Sequence, residues 1–534
     1  MTANLSQNLT LLDAATLVLY LILIVGVGLY FSRNQNAESF FLGHRRLPAW
    51  VVGLAMFASI LSAFTFIAFP GMAYSENWAV LLRDFQLLTV LLLCGWWIIP
   101  VYRRVIRMSV FEYLEKRVGV FIRLWISAGS IFVTPIGTGL ILYVFALALT
   151  SMTGWDIRLV ILVVSGVTFL YTFSGGIEAV VWTEVLQAVL FMGAGLLCAV
   201  YLLFWAAPDG PWSLLVPAWE AGKMGLGSWE PSVSRETAWV FILVGLVGAI
   251  TKLTRDQAVV QRYLLAANAR SAFTATLIST LCCMATWFLF TLIGTLLWAY
   301  YQAFPERLPA GDLKGDQIFP YFIASELPSG LTGLVLAGLC ASAMAGLAAG
   351  LNGVGSLVVS DFYLRFSKKP CERRQLAISR VVVAVFGFVT MAIAWGLTFW
   401  SGGVMRFVLD VFGQAFALLM GGSTGVFLLG LLSRRASPRG IYIGFAASIV
   451  FSIWAILTGN PAISDWLGAR LTWWSAVPSY DGHIWLIMLW GDLIILVLGY
   501  ALSFVVSPGY MAPKNLTVWG WRGDSLPAPD AKPQ

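Results

Sequence analysis

Apolar residues along this chain do not alternate with polar ones at a strand or amphipathic-helix period. They run on for about twenty positions at a time and stop at short polar clusters. Runs of that length match the ~20 residues a helix needs to cross a hydrocarbon core ~30 Å thick. Thirteen such stretches are read, beginning near Leu12, Pro48, Val80, Ile122, Ile157, Ile177, Ala238, Ala272, Gly330, Leu376, Val404, Ile441 and Ile484. The ninth continues almost to Tyr363, so it is expected to tilt or to project beyond the bilayer. The first run, Leu12 to Phe31, is longer than a signal-peptide core, and no Lys or Arg precedes it. It is expected to stay as a helix.

Composition agrees with that pattern: 59% of the 534 residues are hydrophobic and only 11% are charged, against roughly 25% charged in a soluble domain. The net charge of +7 raises the question of nucleic acid, and the positions of the charges answer it. Taken alternately, one set of loops holds Arg33 to Arg46, Arg103 to Arg123, Arg255 to Arg270, Arg365 to Arg380 and Arg434 to Arg439. The opposite set is poor in basic residues. By the positive-inside rule the N-terminus lies outside and the C-terminus inside, in a plasma (inner) membrane. No nucleic-acid partner is expected. The six cysteines fall almost entirely inside apolar runs and lack metal-ligand spacing, and the only histidines, His44 and His483, sit in loops. With no nucleophile–base pair or metal cluster in view, an enzyme is not expected, and neither is a cofactor.

Two spans carry signs of interruption. In the second, Ser59, Ser62 and Thr65 cluster ahead of Pro70-Gly71. In the seventh, Gly245 and Gly248 precede Thr251-Lys-Leu-Thr-Arg-Asp256. Breaks are expected near Ser59 to Ala63 and near Thr251 to Thr254, five spans apart, the spacing a five-plus-five inverted repeat requires.

Four motifs then resemble those of the sodium/solute symporter family: Tyr171 to Gln187, Asp256 to Leu264, Ala337 to Asn352, and Gly425 to Gly440. They occur in order over residues 12–505. The resemblance implies an all-α polytopic membrane protein with a leucine-transporter-like fold and alternating access around a mid-membrane site. It divides the chain into an N-terminal helix and first loop (1–46), a first repeat (47–206), an outer loop (207–236), a second repeat (237–432), two C-terminal helices (433–507) and a disordered tail (508–534).

The resemblance also implies sites. The main sodium site would take carbonyls of Ala58, Leu61 and Ser342, while its two hydroxyl positions carry Ala345 and Gly346. A second ion or proton site would use Glu184, with Ala348 and Ala349 where some members have serines. Ile60, Ser62 and Thr65 would line the solute pocket beside Asp84, which matches a substrate-binding carboxylate of the family's sugar carriers. Thr138 stands where sialic-acid carriers have an arginine, which argues against sialic acid. Lys252 falls near a gating tyrosine of a sugar carrier.

Charges in mid-bilayer cost ~2.5–3.5 kcal/mol on insertion scales, so Asp84, Glu184, Lys252 and Arg255 need partners or roles. One reading pairs Lys252 with Asp84 or Glu184 as a tethered substitute for a bound cation. The other makes it a static ion pair or a snorkelling lysine. The function expected is secondary transport of a small polar organic solute, sugar or carboxylate-like, coupled to Na⁺ by family default. Proton-coupled or cation-independent transport, and a transporter-like sensor, are the alternatives.

Overall fold

Interruptions of the helical hydrogen-bond ladder, more than loops, shape this molecule. The computed structural model describes residues 10–31, 47–232, 235–309, 313–399, 413–471, 474–480 and 484–520. Both histidines, the loop carrying Arg33, Arg45 and Arg46, and the expected start of the eleventh span at Val404 lie outside these residues.

The membrane helices are α1 (Leu11–Phe31), the bent pair α2 (Ala49–Ile60) and α3 (Ala63–Ser75), α4 (Val80–Val105), α5 (Val120–Thr153) and α6 (Ile157–Ala206). The bent pair α7 (Ala238–Thr254) and α8 (Gln257–Leu264) follows, then α9 (Ala269–Ala303), α10 (Leu331–Phe366), α11 (Glu372–Leu397), α12 (Gly413–Leu432), α13 (Pro438–Gly459) and α14 (Leu486–Val506). Among the described residues ten helices are long and apolar enough to cross a bilayer, or twelve if each bent pair is one span. The expected thirteen is not reached by counting separate helices, because the fifth and sixth expected spans fall in one element. At ~1.5 Å per residue the 50 residues of α6 run ~75 Å, more than twice a bilayer core. One residue breaks its regularity: Gly176 at φ 56°, ψ −161°, a conformation essentially closed to residues with a Cβ.

Both expected interruptions exist. The axis turns by 64° between α2 and α3 and by 47° between α7 and α8. The first break falls at Leu61–Ser62, both extended, inside the expected segment. The second falls at Arg255–Asp256, just beyond Thr251 to Thr254, which form the last turn of α7.

α10 is the most enclosed of the membrane helices. Ala341, Ala345, Ala348 and Ala349 are all buried, so this is the close-packed face that small residues permit. Its N-terminus is held from α1, where the buried Asp13 carboxylate accepts from the Gly330 and Gly333 amides at 2.7 and 2.8 Å. The tail expected to be disordered is docked as far as residue 520. The Ala512 amide donates to the Arg434 carbonyl, and Tyr113 donates to the Leu516 carbonyl.

Candidate solute and cation site

Ending α2 at Ile60 leaves the carbonyls of its last turn without intrahelical donors, and these carry the negative end of the helix dipole. A small cavity of about 10 Å³, room for roughly one water-sized sphere, opens beside this end, lined by Ala58 and Leu61 from the break, Ser342 and Ala345 from α10, and Gln187 from α6. Four of the five residues assigned from sequence to the main sodium site thus meet around one space, and Gly346 is not in its lining. An added Cβ at Gly346 would find only the Leu61 carbonyl oxygen, at 4.0 Å, so a side chain there would face that carbonyl. The Ser342 hydroxyl donates to the Leu339 carbonyl at 2.7 Å, which leaves its lone pairs free to accept or to ligate.

On the opposite side of the break the N-terminus of α3 has no side-chain cap. The matching terminus of α8 is capped: Asp256 accepts from the Ala258 and Val259 amides. The first break therefore offers open backbone of both signs.

Glu184 is fully buried, and its carboxylate is taken. Arg262 on α8, also fully buried, donates from Nε at 3.0 Å and from its terminal nitrogen to the other oxygen. The Ser59 hydroxyl adds a third contact at 3.3 Å. A fixed guanidinium sits where a second mobile cation or proton was expected. With Ala348 and Ala349 contributing no oxygens, the residues present do not fit a second cation.

Lys252 does not reach Asp84 or Glu184. Its ammonium lies 2.8 Å from Asp256, one turn along, and the pair is partly exposed at 40% and 25%. Asp84 is gripped by its neighbour Arg83 through two bonds of 2.9 and 3.1 Å, with 16% of its side chain exposed. Arg255 donates to the Met420 carbonyl and to Ser423, so it ties the second break to α12. Thr138 bonds back to the Thr134 carbonyl of its own helix and lies 3.4 Å from the Thr390 hydroxyl on α11. No described contact joins it to Asp84. Of the expected pocket residues, Thr65 is buried while Ile60 and Ser62 are half-buried beside the break.

Four residues at these positions were not assigned from the sequence: Arg83, Asp256, Arg262 and Gln187. Arg262 was read as a loop charge that sets orientation, and Arg255 both as such a charge and as a mid-bilayer charge in need of a partner; both are buried. A carboxylate in mid-span needs a partner, and an arginine on the short helix following a break was the available signal. Lys252 and Asp256 stand four apart on one helical path, the spacing of an ion pair.

Two bent helix pairs five spans apart, the first of them uncapped and beside a cation-sized cavity, form the arrangement of a secondary transporter. The sodium:solute symporter family model matches residues 40–447, and the chain belongs to that family. It is 32% identical over 82% of its length to the sodium/sialic acid symporter of Proteus mirabilis, covering 88% of that protein. It is 27% identical to the human sodium-coupled monocarboxylate transporter 1, with 81% and 71% of the two chains covered. Its fold matches a solved substrate-bound, outward-open Na⁺-coupled sialic acid symporter with a TM-score of 0.82, at 28% identity and 94% and 99% coverage. A nucleobase-cation-symport-1 transporter in a closed conformation shares the fold alone, at TM-score 0.52 and 14% identity. The chain is a multi-pass membrane protein that carries small organic solutes, not an enzyme.

Proposed function

We propose that the chain imports a small polar solute of the sugar or carboxylate class together with a single Na⁺. The observation that carries this reading is the cavity at the first break, where Ala58, Leu61, Ser342 and Ala345 meet. Sodium there is cargo. It would enter against the carbonyl end of α2, while the uncapped N-terminus of α3 and the largely buried Asp84 face the solute. A polar solute can use both, accepting from backbone amides and donating to the carboxylate. Sialic acid is not the solute proposed, because Thr138 supplies no cation for its carboxylate.

The count of one follows from Glu184. Two unit charges repel strongly at short range in a medium of low dielectric, so the Arg262 guanidinium and a mobile cation do not share that carboxylate. The proton-coupled alternative loses its support for a related reason: Lys252 is partly exposed and spends its charge on Asp256. The topology proposed is N-terminus outside, C-terminus inside, in the plasma membrane.

Uptake of labelled sugars and carboxylates into proteoliposomes, measured against external Na⁺, tests the count. The dependence should fit a Hill coefficient near 1. A coefficient approaching 2 would mean that a second cation binds despite Arg262.

A further inference from the structure

At the end of the molecule rich in basic residues, another cavity lies between the C-terminal helices and the docked tail. α14 ends at Val506, and the chain turns at once through Ser507-Pro508-Gly509-Tyr510. Proline second and glycine third are what a type II turn asks for. Gly509 takes φ 79°, and the Tyr510 amide donates to the Ser507 carbonyl at 3.2 Å. The turn carries Tyr510 and Met511 back toward the segment that precedes α13, where the Ala512 amide donates to the Arg434 carbonyl. A space of about 160 Å³ remains there, lined among others by Arg435, Phe504, Ser507, Tyr510 and Met511. That is roughly ten times what one water needs.

The lining combines a cation, hydroxyls and an apolar strip. The Arg435 guanidinium lies over the Phe504 ring, 5.9 Å from its centre, and among the described residues it meets no carboxylate. The Ser503 hydroxyl is already committed, donating to the Gly499 carbonyl at 2.6 Å and accepting from the Ser437 amide at 2.9 Å. Ser507 and Tyr510 bring the remaining hydroxyl groups. Beyond the cation, the Phe504 and Tyr500 rings meet edge to face at 5.0 Å, and both are exposed, as is Val497. Positions 497, 500 and 504 follow one face of α14 toward the middle of the span. We propose that this cavity binds the headgroup phosphate of an anionic phospholipid, with Arg435 paired to the phosphate and an acyl chain along Phe504 and Tyr500. A free anion would use the cation but leave the aromatic strip uncovered. Anionic lipids are concentrated in the cytoplasmic leaflet, which this end faces in the topology proposed above. Because the tail forms one wall of the cavity, an occupied site would also hold residues 507–512 in place, whatever ion drives transport.

The purified full-length protein in a neutral detergent tests this through its melting temperature. Phosphatidylglycerol and phosphatidylcholine are titrated in as mixed micelles, with inorganic phosphate and glycerol 3-phosphate as soluble arms. A ligand that binds only the folded state raises the melting temperature. Phosphatidylglycerol should do so saturably, while phosphatidylcholine and the two soluble anions should do little at the same concentrations. Arg435→Gln should raise the phosphatidylglycerol midpoint about fivefold, the scale of one basic side chain at a membrane surface. Arg439→Gln removes an equal charge from the first turn of α13, outside the lining, and should leave the midpoint nearly unchanged. If Arg435→Gln fails to fold, Ser507→Glu serves, since a carboxylate beside the phosphate repels it and should raise the midpoint at least as far. An Arg435→Gln or Ser507→Glu protein that titrates like the wild type would overturn the site. So would an equal shift in Arg439→Gln, which would make the response one of overall charge, or no response to phosphatidylglycerol at all. Equal stabilisation by phosphatidylcholine or by either soluble anion would overturn the assignment to an anionic lipid.

Discussion

At the scale of single residues, partnership separates charges that hold the protein together from charges that work. Glu184 and Arg262 are both fully buried, and breaking such a pair by removing one partner costs roughly 3–5 kcal/mol, because the other charge is left alone. Arg262→Ala should therefore melt well below the wild type or fail to accumulate in the membrane. Glu184→Gln with Arg262→Gln should recover part of the loss. Lys252 and Asp256 are partly exposed, and pairs of that kind contribute ~0–1 kcal/mol. Lys252→Ala should leave the melting temperature and the Na⁺ dependence nearly unchanged, and a loss of Na⁺ stimulation in that variant would return Lys252 to the site. Asp84 is different again. Asp84→Asn should insert and fold normally yet transport poorly, as measured by uptake normalised to surface expression. Normal uptake would remove Asp84 from the solute site.

At the scale of elements, the helix interruptions were legible because backbone chemistry is written in composition. Hydroxyls beside Pro70-Gly71 marked the first break to within the segment expected. The second break was placed up to a turn early, since Thr251 to Thr254 complete a helix that Asp256 then restarts by capping α8. What the sequence did not reveal is rotational phase. Glu184, Asp84, Lys252 and Arg262 were visible as charges in apolar surroundings. Which faces met which depends on how four helices are turned about their axes, and a run apolar on all sides does not encode that. Gly176 is a third element-scale device: at φ 56° it lets the two halves of α6 depart from a single helix. Gly176→Ala should lower thermal stability by at least ~1 kcal/mol, measured as the melting shift in detergent. An unshifted melt would mean the kink relaxes without strain.

At the scale of the whole molecule, the two repeats are bound together at the end of the transporter rich in basic residues. The Gln257 side chain on α8 accepts from the Val110 amide at 2.9 Å and donates to the Met108 carbonyl and to Ser356 on α10. Close by, Arg123 at the start of α5 holds Asp361 near the end of α10, and Asp361 also accepts from Ser109. These contacts join the segment between α4 and α5, in the first repeat, to α8 and α10 in the second. Alternating access requires one end of such a molecule to open while the other is shut, so opening on that face would have to part this network. Gln257→Ala should raise amide exchange at residues 108–112 without unfolding the rest, and unchanged exchange there would remove Gln257 from the closure. The docked tail, tied to Tyr113 through Leu516, rests against the same segment.

The central claim is that solute movement is driven by a single Na⁺ bound at the first break, with Arg262 occupying the place of a second. The direct measurement is solute accumulation in proteoliposomes under an imposed Na⁺ gradient, compared with liposomes in which choline replaces Na⁺. The account predicts accumulation that requires the gradient, rises hyperbolically with Na⁺, and collapses when the gradient is dissipated. Equal accumulation with and without Na⁺ would contradict it.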